Sequence, residues 1–274
     1  MGLGEISQLL PVIIGLVTAG MLAGTLAGLL GVGGGIINVP VLYFLFQYFG
    51  VEASNAMLIA TGTSLATIIP TSISSIRSHN KRDNIDWSLI KRWLIFIVAG
   101  VLSGSALVTV LDGRYFTMIF AFIALFMSFN LYFRSQSAAL FEHFPAMPWQ
   151  GLLGSIIGFF SVMVGIGGGT LGVSILTAFN VAMHRAVGTS AAFGLLISLP
   201  GALVLFLFAE TPVDAPIGTF GYINASVLLA LIPLSVLFAP VGVWLGSRLD
   251  GAKLKKIFAV LLAITALRMV WQLL

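Results

Sequence analysis

The chain has 274 residues, 59% of them hydrophobic and 8% charged, with a mean hydropathy of +1.10. A soluble domain carries about 25% charged residues, so this chain has too few to cover a water-facing surface and reads as an integral membrane protein. Its net charge of +4 comes from Lys and Arg near predicted helix ends, which leaves no nucleic-acid footprint, and the absence of Cys excludes disulfides, thiolate metal sites and catalytic thiols.

Residues 1–76 contain no Lys or Arg, and residues 1–30 show no basic n-region of a signal peptide. Leu9–Leu30 is a strong apolar run. It is interrupted by Gly31-Val32-Gly33-Gly34-Gly35 and resumes through Ile36–Phe49, where Pro40 suits the first turn of a new helix. Spans follow at Asn55–Ile76, Trp93–Leu111 and Tyr115–Phe133, separated by a basic loop over 77–92 and a tight Asp112-Gly113-Arg114 turn. A polar linker with Pro145 and Pro148 covers 134–148. Trp149–Val164 then meets a second break, Gly165-Ile166-Gly167-Gly168-Gly169, before Thr170–Ala182. The remaining spans are Ala186–Ala209, Tyr222–Gly246 and Ile257–Leu274, with an acidic, Pro-rich loop at 210–220 and a basic turn at 248–256. The spans are apolar on every face rather than alternating, which argues for helices over a β-barrel. Trp87, Trp93, Trp149 and Trp271 fit an interfacial belt.

The order of short matches marks an internal repeat. The two glycine breaks align. Gly62-Thr63-Ser64 matches Gly188-Thr189-Ser190, and Gly100, Gly104 and Ser105 match Gly242, Gly246 and Ser247. Leu111-Asp112-Gly113 matches Leu249-Asp250-Gly251, and Ile119-Phe120-Ala121 matches Ile257-Phe258-Ala259. The expected fold is all-α, with two inverted-topology repeats of about five helical segments each and Gly-rich broken helices or hairpins. Residues 1–133 form the first membrane repeat, 134–148 a cytoplasmic linker and 149–274 the second repeat. Basic residues set the orientation. With the 77–92 loop inside, every Lys and Arg except Arg114 and Arg268 falls inside, provided that each glycine-broken segment is a hairpin. Both termini are then outside. One crossing per broken segment would instead place the basic 248–256 turn outside. Trp149–Val164 would be about 24 Å long as a helix, short for a hydrocarbon core of about 30 Å.

Three adjacent glycines break a helix, and unwound backbone at membrane depth persists only where protein or a watery cavity satisfies it. Matched breaks in two halves point to the binding site of a secondary transporter. Free N–H groups at Gly33, Gly34 and Gly35 and at Gly167, Gly168 and Gly169 would hold an anion without a charged side chain; the alternative is that these glycines only permit tight packing. The hydroxyls of Thr63, Ser64, Thr189 and Ser190 either donate to that anion or back-bond to their own helices. Asn38 and Thr170, just past the breaks, either face a ligand or cap the following helix. Thr61 and Thr67 read as structural. His184 and Arg185 are either a topology anchor or a gate that attracts anions. No Asp, Glu or Lys lies mid-span, so no proton relay is evident. No metal or cofactor site is evident, since the three His are scattered. An intramembrane protease would need a Gly-x-Ser-Gly with a span His, and the chain has neither, so an enzyme is not expected.

The duplicated G-x-G-G-G breaks and the element His184-Arg185-Ala186-Val187-Gly188-Thr189-Ser190 resemble the TauE/SafE family of sulfite and organosulfonate exporters, over nearly the whole chain. The first-half element, Ala60-Thr61-Gly62-Thr63-Ser64, lacks the His-Arg pair. The resemblance implies a multi-pass protein of the bacterial inner membrane. It implies export of a small sulfur anion such as sulfite or sulfoacetate by alternating access, with a channel or an importer of thiosulfate or sulfate as the alternative. Expected partners are the anion and the bilayer. Proton coupling through the substrate and a homodimer are left open.

Overall fold

The computed structural model describes residues 3–31, 33–133, 140–246, 248 and 251–272. Val32 of the first break, 134–139 of the linker, Ser247, Leu249 and Asp250 of the repeat matches, and the chain ends assigned to the outside lie beyond the described residues. The elements are α1 (Leu3–Leu30), α2 (Gly35–Tyr48), α3 (Ala53–Asn80), α4 (Trp87–Val110), α5 (Gly113–Phe133), α6 (Met147–Met163), α7 (Gly169–Ala178), α8 (Met183–Leu207), a hairpin of β1 (Thr219–Phe220) and β2 (Ile223–Asn224), α9 (Ala225–Gly246) and α10 (Gly251–Trp271). The protein is an all-α membrane protein. Among the described residues α3, α4, α5, α8 and α9 are long and apolar enough to cross a bilayer, whereas α2, α6 and α7 have 14, 17 and 10 residues. Large side chains such as Ile95, Phe122, Leu203, Leu229 and Leu237 are exposed, as suits lipid contact.

Several boundaries depart from expectation. Gly34 is the N-cap of α2, so Pro40 lies inside that helix rather than in its first turn. The fourth helix begins at Trp87 rather than Trp93, because Asp86 caps it by accepting the Leu89 N–H at 3.0 Å. Trp93 therefore sits a turn and a half inside and is fully buried, not in the interfacial belt. Its indole N–H donates to Gln150 Oε1 at 3.1 Å, and its ring stacks on Phe193. Trp87, Trp149 and Trp271 are exposed as expected.

The two halves interlock. The main helix pairs are α1 with α9, α4 with α6, α3 with α8 and α5 with α10. Exchanging each helix for the one five places on turns α1·α9 into α6·α4, α2·α3 into α7·α8 and α3·α9 into α8·α4, and all of these pairs touch; α1·α2 and α3·α5 have no counterpart of comparable extent. Helices α1 and α9 run parallel, with Gly20 against Leu234, Gly24 against Ser235 and Gly28 against Ala239. Helices α4 and α6 are also parallel, with Gly100 against Ser155 and Gly104 against Phe159. Small residues let these backbones approach closely, as is common between helices in lipid. Helices α3 and α8 are antiparallel: Leu65 lies by Gly201, and Ser72 by Gly194. Every residue of α3 from Ala56 to Ile68 is buried, so α3 forms the centre of the molecule.

Contacts sort the helix ends into two groups. At one end the Arg82 guanidinium donates to the Val243 carbonyl, His79 bonds the Gly28 carbonyl, and Arg185 pairs with Asp86. At the other, Asp214 accepts from the Glu52 N–H and the Asn55 side chain, and Gly113 packs on Ser54. The α6–α7 segment starts beside Trp93 and ends beside Phe144, itself packed on Trp93, so both of its ends lie at the basic end. It is a hairpin rather than a crossing. The α1–α2 segment is the converse: α1 runs parallel to α9 toward the basic end, and α2 returns to the start of α3.

Candidate functional site at the paired glycine breaks

Each break is a left-handed turn that starts a half-helix. Gly34 caps α2 with φ of 78° and Gly168 caps α7 with φ of 69°, a conformation that side chains resist. Neither cap uses a side chain, so Asn38 and Thr170 are not caps. The N–H groups of Gly35 and Ile36, and of Gly169, Thr170 and Leu171, have no hydrogen-bond partner among the described residues, as the first turn of any helix leaves them.

The two breaks touch. A Cβ on Gly33 would lie 3.6 Å from Gly167 Cα, and one on Gly35 would collide with the Gly165 carbonyl and lie 2.9 Å from Ile166 Cα. The α2 and α7 N-termini thus meet from opposite ends of the molecule, each with the positive end of its dipole. All of 33–36 and 161–170 are buried, and among the described residues no Asp, Glu, Lys or Arg is buried. Between the breaks lies Ile68 of α3, fully buried, with its side chain 2.7–2.8 Å from where Cβ atoms on Gly33, Gly35 and Gly167 would be.

The Gly-Thr-Ser elements have a second task. Gly62 packs on the Tyr222 carbonyl, and Thr63 Oγ1 accepts the Asn224 N–H at 2.9 Å, where Asn224 caps α9. In the same way Gly188 packs on Asn84, and Thr189 Oγ1 accepts the Asp86 N–H at 3.0 Å, where Asp86 caps α4. Both threonines therefore tie their helix to the start of a helix in the other half and do not back-bond. Ser64 Oγ donates to the Gly165 carbonyl of the second break at 2.9 Å. Ser190 Oγ is buried without a partner and abuts Gly172 of α7. Asn38 is buried with both side-chain polar atoms unpartnered, and Thr170 Oγ1 reaches only Met127 Sδ at 3.4 Å.

Thr67 bonds the Thr63 carbonyl and is structural, as expected. Thr61 is not held that way: its Cγ2 faces Gly165, and its hydroxyl has no partner. Arg185 and His184 are exposed, and two residues beyond Arg185 the Val187 backbone packs on Gly31, the first residue of the first break. Arg185 is paired with Asp86 at 3.1 Å. Sequence reasoning missed Ile68, Ser72, Ser75, Gly194 and Ser198. The spacing of 72, 75 and 79 on one helical face was the available signal. At the opposite end Glu52, Glu210 and Asp214 rim a shallow polar pocket. Burial, and then the Glu210 carboxylate, pushes the Tyr222 phenol there above its ordinary value.

A buried meeting of two half-helices inside an all-helical membrane protein defines a polytopic membrane protein with a broken-helix centre, an architecture used for carrying solutes. The model of the sulfite exporter TauE/SafE family matches residues 16–269, and the chain belongs to that family. It is 32% identical over 91% of its length to a "probable membrane transporter protein" of Haemophilus influenzae, covering 95% of that protein. It is 29% identical to one of Methanocaldococcus jannaschii, covering 97% of each chain, and 27% identical to YunE of Bacillus subtilis, covering 86% of each. These relatives are named as transporters, not enzymes. No solved structure matches the chain significantly.

Proposed function

We propose that the protein is a secondary transporter that exports a small sulfur oxyanion, sulfite or an organosulfonate, bound where the two glycine breaks meet. One observation carries this reading: two helix N-termini, whose first N–H groups have no partner among the described residues, converge at a buried point that no described carboxylate shares. Main-chain donors and paired dipoles suit an oxyanion, and Asn38, Thr61 and Ser190 are side chains with unused polar atoms to add. The two parts of the molecule are inverted repeats, a reading supported by the antiparallel α3 and α8 and by the matched helix pairs. Rocking one repeat against the other would expose the site alternately. The basic end is cytoplasmic by the positive-inside rule. The packing of Ile68 between the breaks favours alternating access over an open channel.

Flux into liposomes tests this with sulfite, sulfoacetate, thiosulfate and sulfate at two pH values. Saturable uptake of sulfite or sulfoacetate over sulfate is expected. Equal flux of all four, with single-channel currents, would replace the transporter by a channel.

A further inference from the structure

On α3, hydroxyls split by face. Thr67, Thr71 and Ser78 bond carbonyls one turn back, and Ser74 bonds the Val236 carbonyl. Ser72 and Ser75 do neither, though each is 1% exposed, and neither does Nδ1 of His79, which is 4% exposed. His79 spends its other ring nitrogen on the Gly28 carbonyl at 3.0 Å, which leaves Nδ1 as an acceptor. Positions 68, 72, 75 and 79 lie on one helical face. The face runs from the breaks at Ile68 to the basic end at His79. Ser72 reaches it beside Gly194, whose own Cβ position is 2.9 Å from the Gly167 carbonyl. Buried polar atoms find partners in protein or water, so a row of three without protein partners marks a hydrated or ligand-bearing seam.

The other half has no such row. Counting from Gly188 as from Gly62, Ser198 stands for Ser72 and is likewise buried and unpartnered, but Gly201 and Leu205 stand for Ser75 and His79. Gly201 is packed against Val162, Leu65 and Val101. Gly194 stands for Ile68, so the central wedge also comes from one side alone.

We propose that the Ser72–Ser75–His79 face of α3 is the aqueous path by which the small anion passes between the glycine breaks and the basic end, with Ile68 as its inner barrier. The path rests on the transporter reading, but its position can be tested without knowing the substrate. Since the chain has no Cys, Ser72→Cys, Ser75→Cys and Thr71→Cys each place a single thiol in the full-length protein. Thr71 is equally buried but lies on the bonded face. In liposomes, a small anionic methanethiosulfonate added at the basic end should modify the thiols at 72 and 75 at least tenfold faster than the one at 71. Reagent added at the other end should not. Ile68→Ala should make the thiol at 72 reactive from both ends and raise sulfite flux at least threefold. Monodisperse elution verifies each variant's fold. Thiols at 72 and 75 no more reactive than that at 71, in protein that still carries sulfite, would overturn the path and leave the transporter reading standing. Reactive thiols at 72 and 75 in protein that carries no anion would support the path and overturn the transporter reading. Wild-type behaviour of Ile68→Ala would overturn the barrier.

Discussion

Gly35 is where the two breaks are most tightly joined. Its φ needs no glycine, but a Cβ there meets the Gly165 carbonyl and Ile166 Cα. Gly35→Ala must therefore push the breaks apart, whereas Gly15→Ala, with nothing within 4 Å, is neutral. Sulfite flux is expected to fall at least tenfold in the first variant and to hold in the second, at matched membrane expression. Thr63 and Thr189 carry a different load. Replacing either with the isosteric Val removes one buried acceptor and strands a capping N–H, and each should cost about 1–3 kcal/mol. Thermal unfolding in detergent checks this, and the larger loss is expected at Thr63, whose Asn224 partner is buried, since the Asp86 partner of Thr189 is partly exposed. Arg185→Gln should change stability by less than about 1 kcal/mol, since its ion pair with Asp86 is exposed. A strong loss of flux at unchanged stability would make it a gate rather than an anchor.

At the scale of elements, the glycine breaks were legible because three adjacent glycines are unfavourable inside a helix. Their pairing followed from the repeat. The role of Gly-Thr-Ser was not legible, since the partners of Thr63 and Thr189 lie at Asn224 and Asp86, more than a hundred residues away in each case. A short hydroxylated motif reads the same whether it binds a ligand or caps a remote helix. Trp93 was misplaced for a related reason: Asp86 starts the helix six residues earlier than the hydropathy pattern does, which turns an interfacial tryptophan into a core one. The unpartnered face of α3 was written in the spacing of Ser72, Ser75 and His79, but only the structure separates it from the bonded hydroxyls at Thr67, Thr71 and Ser78.

For the whole molecule, charge and hairpin length together gave the arrangement of ends. The 77–92 segment, the start of α8 and the end of α9 share one end, and the 210–220 loop lies at the other. Of Lys81→Cys and Val213→Cys, both exposed, the second should be labelled by an impermeant maleimide in intact cells and the first only after the membrane is permeabilised. Labelling of both from one side would contradict the topology. The acidic rim at Glu52, Glu210 and Asp214 lies on the Val213 side, and Arg82 and Arg185 lie at the other.

The most direct measurement is equilibrium binding of radiolabelled sulfite to the purified wild-type protein and to Gly35→Ala, each shown to be folded by its melting transition. The account predicts saturable binding by the wild type that sulfoacetate displaces, and at least a tenfold weaker affinity in Gly35→Ala. Wild-type affinity in the variant would place the anion somewhere other than the meeting point of the two breaks.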